Sequence, residues 1–173
     1  PNATLTGFDL LVRVIGTGTE RLASLEPGDP IDILGPLGEN GFHWEDARKA
    51  ILVGGGAGIA PLLPLAQGLR GSGIETTVML GARTATEMPP GVERDFSAMG
   101  CHLLLSTDDG TQGHNGVVLD LLEREPLSQD VQIFSCGPEP MIRAVCRYAE
   151  QNGQECQVSL EAKTACGIGA CLG

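Results

Sequence analysis

Two cysteines near the end of the sequence have a spacing typical of metal chemistry. Cys166 and Cys171 bracket the four residues Gly-Ile-Gly-Ala. This spacing matches the first two ligands of plant-type [2Fe–2S] clusters, where a third cysteine follows after two more residues. That third position falls one place beyond Gly173. Two thiolates cannot hold a cluster alone, so a reactive dithiol or an incidental pair of cysteines is the alternative.

A glycine-rich segment predicts a site for a pyrophosphate. The apolar run Ala50–Val53 leads directly into this segment, which is formed by Gly54, Gly55, Gly56, Ala57, Gly58, Ile59, Ala60 and Pro61. A strand that runs through glycines into a helix gathers backbone N–H groups and the positive end of the helix dipole at one point. Pro61 suits the first helical turn, where its missing N–H is not needed. The spacing differs from Gly-x-Gly-x-x-Gly, and a tight turn without ligand is the alternative.

A second candidate segment follows another apolar run, Val131–Phe134. It contains Cys136, Gly137, Pro138 and Met141, and it opens a predicted helix. Because ligands bind at the carboxyl ends of strands in open parallel sheets, Cys136 is the candidate catalytic residue, close to the glycine segment if the two strands are neighbours. The alternative is an ordinary buried cysteine before a helix that begins at proline.

Charged residues after two further strands bear on the choice of nucleotide. Arg83 suits the 2′-phosphate of NADP, whereas Asp108 and Asp109 would repel that phosphate and accept hydrogen bonds from ribose hydroxyls. The two carboxylates favour NAD. Solvated loop charges with no role in binding are the alternative.

The elements that must position these residues indicate an α/β protein. Four apolar runs predict buried strands, and three further segments have helical character. Their alternation predicts a parallel sheet with helices on both faces. The strands are Ala50–Val53, Thr76–Leu80, Cys101–Leu105 and Val131–Phe134; the helices are Ile59–Leu69, Val117–Glu125 and Pro138–Gln151.

The segment before this alternating region has a different character. Leu10–Ile15 and Pro30–Leu34 predict two strands, which cannot bury a core by themselves. We therefore expect residues 1–47 to be the C-terminal end of an antiparallel β-barrel whose earlier strands are missing. Residues 48–160 are the predicted nucleotide-binding α/β domain. Residues 161–173 are the predicted start of an iron–sulfur segment, and we therefore expect the chain to be truncated.

Composition excludes several functions. The chain has 173 residues, a formal net charge of −11 and only 3% aromatic residues, which argues against binding to nucleic acid. Its apolar runs are too short to cross a bilayer. We expect a soluble, cytoplasmic protein with thiols rather than disulfides. His43, His102 and His114 share no metal-binding spacing, and a Ser-His-Asp triad lacks its nucleophile elbow.

These motifs resemble a known family. The Gly-Ile-Ala-Pro loop and the Cys-Gly-Pro-x-Pro-Met segment are similar to those of the ferredoxin–NADP reductase superfamily. Residues Gly35 to Phe42 and Ala165 to Gly173 narrow the resemblance to the electron-transfer subunits of NAD-dependent, iron–sulfur dihydroorotate dehydrogenases. The resemblance implies a flavin barrel that binds FAD, an NAD-binding α/β domain and a C-terminal [2Fe–2S] segment. It also implies a catalytic FMN subunit as partner, in a heterotetramer of the pyrimidine pathway.

The resemblance also assigns roles to individual residues. Gly16, Gly18 and Thr19 would hold the FAD pyrophosphate, with Thr19 donating its hydroxyl or acting as N-cap, although a simple capped turn is the alternative. Gly41 and Phe42 would lie near the flavin. The glycine segment would bind the NAD pyrophosphate, Cys136 to Met141 would lie beside the nicotinamide, and Cys166 and Cys171 would bind the cluster. The strand by which the family grips FAD, and the last two cluster cysteines, are missing from the sequence.

The sequence therefore predicts an electron-transfer subunit. Electrons from dihydroorotate oxidation would pass through the cluster and FAD to NAD+, so the cofactors rather than side chains would carry the redox chemistry. A related reductase that serves another redox partner is the first alternative. A nucleotide-binding module without redox chemistry is the second.

Overall fold

The computed structural model describes residues 7, 9–35, 41–45, 47–125, 127–128 and 130–160. Its contacts divide the chain into two compact units, Pro1–Leu37 and Gly38–Gly173. The regular element described in the first unit is a short helix, α1, Thr17–Ala23. None of the helices described is long and apolar enough to cross a membrane.

The two strands predicted in the first unit are not observed. The described residues of both segments, Leu10–Ile15 and Pro30–Leu34, have no β-pairing, and their apolar side chains are largely exposed. A strand needs a neighbour with which to exchange backbone hydrogen bonds, and an alternating sequence alone does not supply one. The prediction of two strands was therefore wrong for these residues.

The second unit contains a six-stranded sheet in which every described pair of strands is parallel. The spatial order is β4-β3-β2-β1-β5-β6. The strands are β1 (Lys49–Gly55), β2 (Glu75–Ala82), β3 (His102–Thr107), β4 (His114–Asn115), β5 (Val131–Cys136) and β6 (Glu155–Ser159).

Helices cover both faces of this sheet. On one face, α2 (Leu62–Gly71) and α3 (Val92–Ala98) pack in a core cluster that includes Leu52 and Phe134. On the other face, α4 (Val118–Leu122) and α5 (Glu139–Gln151) pack on a cluster that includes Val53 and Ile133. The predicted α/β class with a parallel sheet is confirmed.

The four apolar runs all form the central strands, as expected for strands buried on both faces. The first predicted helix begins later than expected, at Leu62, because a 3₁₀ turn, Gly56–Ile59, follows β1. The second predicted helix is shorter than expected, and the third has nearly the expected bounds. The edge strands β4 and β6 and the helix α3 were not predicted.

Candidate functional site

The candidate site lies where the strand order reverses. After β1 the chain adds β2, β3 and β4 on one side, and it then returns to place β5 directly on the other side of β1. Gly54 of β1 pairs in register with Cys136 of β5, so the two segments that follow these strands start side by side. A crevice at such a reversal, at the carboxyl ends of the strands, is the usual ligand site of open α/β sheets.

The two segments make contact through their backbones. A Cβ on Gly58 would lie 2.4 Å from the carbonyl carbon and oxygen of Cys136 and from the nitrogen of Gly137. A Cβ on Gly137 would lie 2.9 Å from the carbonyl oxygen of Gly55. Only glycine permits approaches this close, because no side chain fits between the two backbones.

Gly56 differs from its neighbours because it faces open space. It is exposed, its φ of 57° lies in the left-handed region, and no heavy atom lies within 4 Å of a Cβ placed there. The first N–H groups of a helical turn have no partner within the turn itself. Gly56 and Ala57, which open the 3₁₀ turn and are both exposed, therefore have backbone N–H groups that the turn itself does not bond.

The rest of the glycine segment is fixed by packing. A Cβ on Gly54 would lie 2.6 Å from Leu62 Cδ1, and a Cβ on Gly55 would lie 3.0 Å from Met141 Sδ. Ile59 is buried in the core, and Ala60 is half-buried. Pro61 is the N-cap of α2, with a φ of −68°. The sequence places Pro61 in the first helical turn, whereas in the structure the helix begins one residue after it.

The segment after β5 lies directly against the glycine segment. The Cys136 side chain is 1% exposed and belongs to the core cluster that contains Phe134. Gly137 follows with a φ of 155°, and the exposed Pro138 is the N-cap of α5. The predicted juxtaposition of Cys136 with the glycine segment is present in the backbone, and its thiol faces the core.

A short stretch from Gly41 to His43 is held beside β5 and β6. The ring of Phe42 packs edge-on against Phe134, with centroids 5.5 Å apart and planes at 87°. The Gln157 side chain of β6 accepts a hydrogen bond from the His43 N–H at 2.9 Å and donates one to the His43 carbonyl oxygen at 2.5 Å. Gly41 and Phe42 then line a cleft of about 470 Å³ with the end of β6.

Arg83 follows β2, and an acidic partner engages it. Its guanidinium donates to both carboxylate oxygens of Glu87, at 2.5 Å and 3.0 Å. This hydrogen bond and the attraction of the nearby carboxylates raise the pKa of Arg83 above its ordinary value. A 2′-phosphate would compete with Glu87 for the same guanidinium group.

The acidic loop after β3 is tied to the loop after β2. Asp109 Oδ1 accepts hydrogen bonds from the Thr111 hydroxyl at 2.6 Å and from its N–H at 3.0 Å, which lower the pKa of Asp109. The same hydroxyl oxygen accepts a bond from the Ala85 N–H at 2.9 Å. The Asp108 N–H donates to the Ala82 carbonyl oxygen at 3.1 Å. Arg83, Asp108 and Asp109 therefore lie close together at the carboxyl ends of β2 and β3.

The flavin residues predicted in the first unit lie at the start of α1. Gly16 is the N-cap of this helix, and Gly18 is exposed in its first turn. Thr19 Oγ1 accepts hydrogen bonds from the N–H groups of Ile15 and Gly16, and it donates to the Gly16 carbonyl oxygen at 2.8 Å. The suggestion that Thr19 is the N-cap was wrong, because Thr19 is the third helical residue and reaches back to cap the turn.

The predicted cluster ligands Cys166 and Cys171 lie outside the described residues. The four cysteines that are described, Cys101, Cys136, Cys146 and Cys156, are thiols. Within the described ranges, no group of three or more His, Cys, Asp or Glu side chains is arranged to hold a metal ion.

The fold belongs to a class known from redox enzymes. A solved NADH-dependent reduced ferredoxin–NADP oxidoreductase, studied for flavin-based electron bifurcation, is similar to the chain with a TM-score of 0.78 and 35% identity. The match covers 92% of this chain and 57% of the solved one. A ferredoxin reductase of carbazole 1,9a-dioxygenase has the same fold, with a TM-score of 0.61 and 22% identity over 72% of the chain.

Curated relatives make the resemblance more specific. The chain is 41% identical over 166 residues to the dihydroorotate dehydrogenase B (NAD(+)) electron transfer subunit of Bacillus caldolyticus. It is 37% identical over 166 residues to the probable subunit of this name from Methanopyrus kandleri. Each match covers about 95% of this chain and 62% of the relative, so the chain spans less than two thirds of these proteins. No family model matches the chain.

The comparisons confirm the resemblance predicted from the motifs. Sequence reasoning missed three residues that shape the site, Glu87, Thr111 and Gln157. Glu87 lies four residues after Arg83, a spacing that could have indicated the ion pair. Thr111 lies two residues after Asp109, a typical spacing for an Asx turn. Gln157 forms its hydrogen bond with His43, which is 114 positions away, so no local sequence pattern indicates this contact.

Proposed function

We propose that the chain is part of an electron-transfer subunit that reduces NAD+ with electrons from dihydroorotate. The names and extent of the curated relatives support this assignment. In the proposal, a partner subunit with FMN oxidises dihydroorotate, and a [2Fe–2S] cluster and FAD carry the electrons onward. The partner assembly would be a heterotetramer in the cytoplasm.

The observation that carries the proposal is the backbone contact between Gly58 and Cys136 beside the open Gly56. This contact fixes one wall of a crevice whose other groups are backbone N–H donors. A pyrophosphate is the ligand that such donors at the start of a helix bind best, and α2 with its ten residues begins just beyond them. The glycine segment therefore fits the NAD pyrophosphate.

The nicotinamide would lie toward β5 and α5. In this direction the crevice is bounded by Gly137, Pro138 and Met141, and Phe42 packs on the adjacent β5. These residues would exclude water and orient the ring, while the flavin supplies hydride chemistry when bound. We assign Cys136 a position beside the nicotinamide, and its substitution tests whether the side chain takes part in hydride transfer.

The charged residues after β2 and β3, where we place the ribose, support NAD over NADP. Arg83 is the cation at this edge, and Glu87, Asp108 and Asp109 are close to it. A 2′-phosphate would meet three carboxylates for one guanidinium group that is already engaged. Ribose hydroxyls, by contrast, can donate hydrogen bonds to the Asp108 and Asp109 carboxylates.

We assign the remaining cofactor sites from the resemblance. Residues 1–47 would be the end of the flavin barrel, with Gly16, Gly18 and Thr19 at the FAD pyrophosphate and Gly41 and Phe42 near the flavin ring. Because Thr19 uses its hydroxyl to cap α1, backbone N–H groups would make the contact with FAD. Residues 48–160 would bind NAD. Residues 161–173 would start the iron–sulfur segment, with Cys166 and Cys171 as two of its ligands.

A related reductase with another redox partner is the second candidate. The similarity to the NADH-dependent ferredoxin–NADP oxidoreductase favours it, because the match with that protein covers 92% of this chain. The cofactors would be the same in both cases, and only the electron donor or acceptor would differ.

The test is to isolate the full-length subunit anaerobically together with the proteins that bind it. The proposal predicts flavin and iron–sulfur absorption bands, co-purification with an FMN subunit, and reduction of NAD+ when dihydroorotate is added. Co-purification with a different redox partner and no response to dihydroorotate would favour the second candidate. A colourless subunit that binds NADH without any diaphorase activity would reject both.

A further inference from the structure

Two cysteines that the proposed function does not use lie on the neighbouring elements α5 and β6. Cys146 lies in the middle of α5, and Cys156 is the second residue of β6. Between them the chain reverses through a tight turn in which Gly153 has a φ of 63° and the Gln154 N–H donates to the Ala149 carbonyl oxygen. This turn brings β6 back along the helix that precedes it.

The side chain of Cys156 points toward the helix. It packs against the core cluster that contains Val145 and Ala149 of α5, and its position on β6 pairs with Ile133. α5 packs against β6, and the Cys146 thiol is near enough to Cys156 to raise its pKa. The two thiols therefore lie close together between a helix and a strand.

The position of the pair allows a small reagent to reach it. Both side chains are half-buried, and among the described strands β6 is the last one on its side of the sheet. By contrast, the Cys136 side chain is 1% exposed. The pair thus combines proximity with access, the two conditions for thiol–disulfide exchange.

We propose that Cys146 and Cys156 form a reversible disulfide, which makes the α5–β6 edge a redox-modification site for small-molecule disulfides such as glutathione disulfide. This site is separate from the nucleotide crevice and from the predicted cluster ligands. Its oxidation would link directly the two elements that flank the reversing turn.

One molecule of glutathione disulfide is enough to oxidise the two thiols to a disulfide. The Cys146 thiolate attacks one sulfur of glutathione disulfide, forms a mixed disulfide and releases one glutathione thiolate. Cys156 then loses its proton, attacks the Cys146 sulfur and releases the second glutathione. The protein loses two electrons and two protons, and the oxidant becomes two glutathione thiols.

The environment of Cys156 sets this order of attack. Burial, together with the charge and hydrogen bond of Cys146, raises the pKa of Cys156 to about 12. Cys156 is therefore a poor first nucleophile at neutral pH, because the thiolate is the reactive form. Once Cys146 is in a mixed disulfide its negative charge is gone, and Cys156 deprotonates more readily.

Oxidation would act on the proposed crevice through β6. Cys156 is the neighbour of Gln157, whose side chain holds the His43 backbone and so the stretch that contains Phe42. A disulfide to α5 would restrain this part of β6. We therefore expect slower hydrogen exchange at the His43 amide in the oxidised protein.

The test uses the full chain, reduced and then incubated with glutathione disulfide. Remaining thiols are blocked with N-ethylmaleimide under denaturing conditions, and tryptic peptides are identified by mass spectrometry. Trypsin cleaves after Arg143, Arg147 and Lys163, so the disulfide joins the peptides 144–147 and 148–163. We expect this pair, two hydrogens lighter than the sum of its peptides, to exceed any other disulfide-linked pair about tenfold.

Single variants test the order of attack. Cys156→Ser should stop at a stable glutathione adduct on Cys146, whereas Cys146→Ser should leave Cys156 almost unmodified. Cys101→Ser, which changes a half-buried thiol elsewhere, should not alter the yield of the linked pair. Separate glutathione adducts on Cys146 and Cys156 in the unmodified sequence, or a dominant link from either one to another cysteine, would overturn the proposal.

Discussion

Gly58 and Cys136 lie so close together that a Cβ on Gly58 would be 2.4 Å from the Cys136 carbonyl carbon. One residue follows β1 and the other ends β5, the two strands at which the order of the sheet reverses. The contact joins two segments that are 78 positions apart in the sequence. It therefore converts two separate glycine motifs into a single wall of the candidate crevice.

The first prediction concerns this contact. Gly58→Ala places a methyl group where backbone atoms already lie, so the loop or β5 must shift, at a cost of about 1–3 kcal/mol of unfolding free energy. NADH binding should weaken about tenfold or more, because the N–H donors move with the loop. Chemical denaturation and NADH titration check the two effects.

Gly71→Ala is the matched control for this substitution. Gly71 ends α2, and a Cβ placed there meets no heavy atom within 4 Å. The same change should leave NADH binding intact and raise stability slightly, by about 0.5 kcal/mol. Equal effects of the two substitutions would show that the Gly58 contact does not shape the site.

The second prediction concerns Gln157 and the stretch that it holds. Gln157→Leu keeps the size of the side chain but removes both hydrogen bonds to His43. The loss should cost about 1–2 kcal/mol of stability. It should also speed hydrogen exchange at the His43 amide, which mass spectrometry or NMR can follow. Gln151→Leu, at an exposed end of α5, should change neither quantity, and unchanged protection of His43 in the Gln157 variant would contradict the assignment.

Much of the fold follows from the sequence for a simple physical reason. Ala50–Val53 and Val131–Phe134 are continuous apolar runs because their strands are buried on both faces. The strand β6 has the sequence Glu-Cys-Gln-Val-Ser and lies at an edge, so it lacks this signal. Leu10–Ile15 shows the opposite error, since its alternating pattern predicts a strand but the segment has no described pairing partner.

The candidate site, like the fold, could be predicted from the sequence only in part. Glycines and prolines at the ends of β1 and β5 predicted which segments form the crevice, because these residues mark backbone that must turn or approach closely. The partners of charged side chains could not be predicted in this way. Thr111, for example, joins Asp109 to Ala85 across 26 positions, a contact that only the folded sheet creates.

The third prediction concerns the titration of Asp109. Its carboxylate accepts two hydrogen bonds from Thr111, which favour the charged form and hold the pKa of Asp109 below its ordinary value. This lowered pKa stabilises the loop above the unfolded-state pKa, and the effect is lost as pH falls through the folded-state pKa.

Thr111→Val removes the hydroxyl but keeps the N–H, so the pKa of Asp109 should rise toward the ordinary value. NMR titration of the carboxyl carbon measures this shift. Thr86→Val, which changes an exposed threonine in the neighbouring loop, should leave the Asp109 titration in place. An unchanged midpoint in the Thr111 variant would contradict the assigned hydrogen bond.

The fourth prediction concerns Cys136. If its side chain helps to orient the nicotinamide, Cys136→Ala should slow hydride transfer, measured as diaphorase activity with added FAD. Only one sulfur atom is removed from the core, so stability should fall by about 1 kcal/mol or less. Cys101→Ala is the control, with an unchanged rate. Equal rates for Cys136→Ala and the unmodified protein would assign Cys136 to core packing alone.

The most direct test of the central proposal is to map NADH binding by amide chemical shifts on the full chain. The prediction is that NADH shifts the amides of Gly56, Ala57, Gly58 and Gly137, while NADPH at the same concentration shifts them far less. Saturable shifts confined to residues away from these two segments, or no shifts at all, would contradict a dinucleotide site where β1 meets β5.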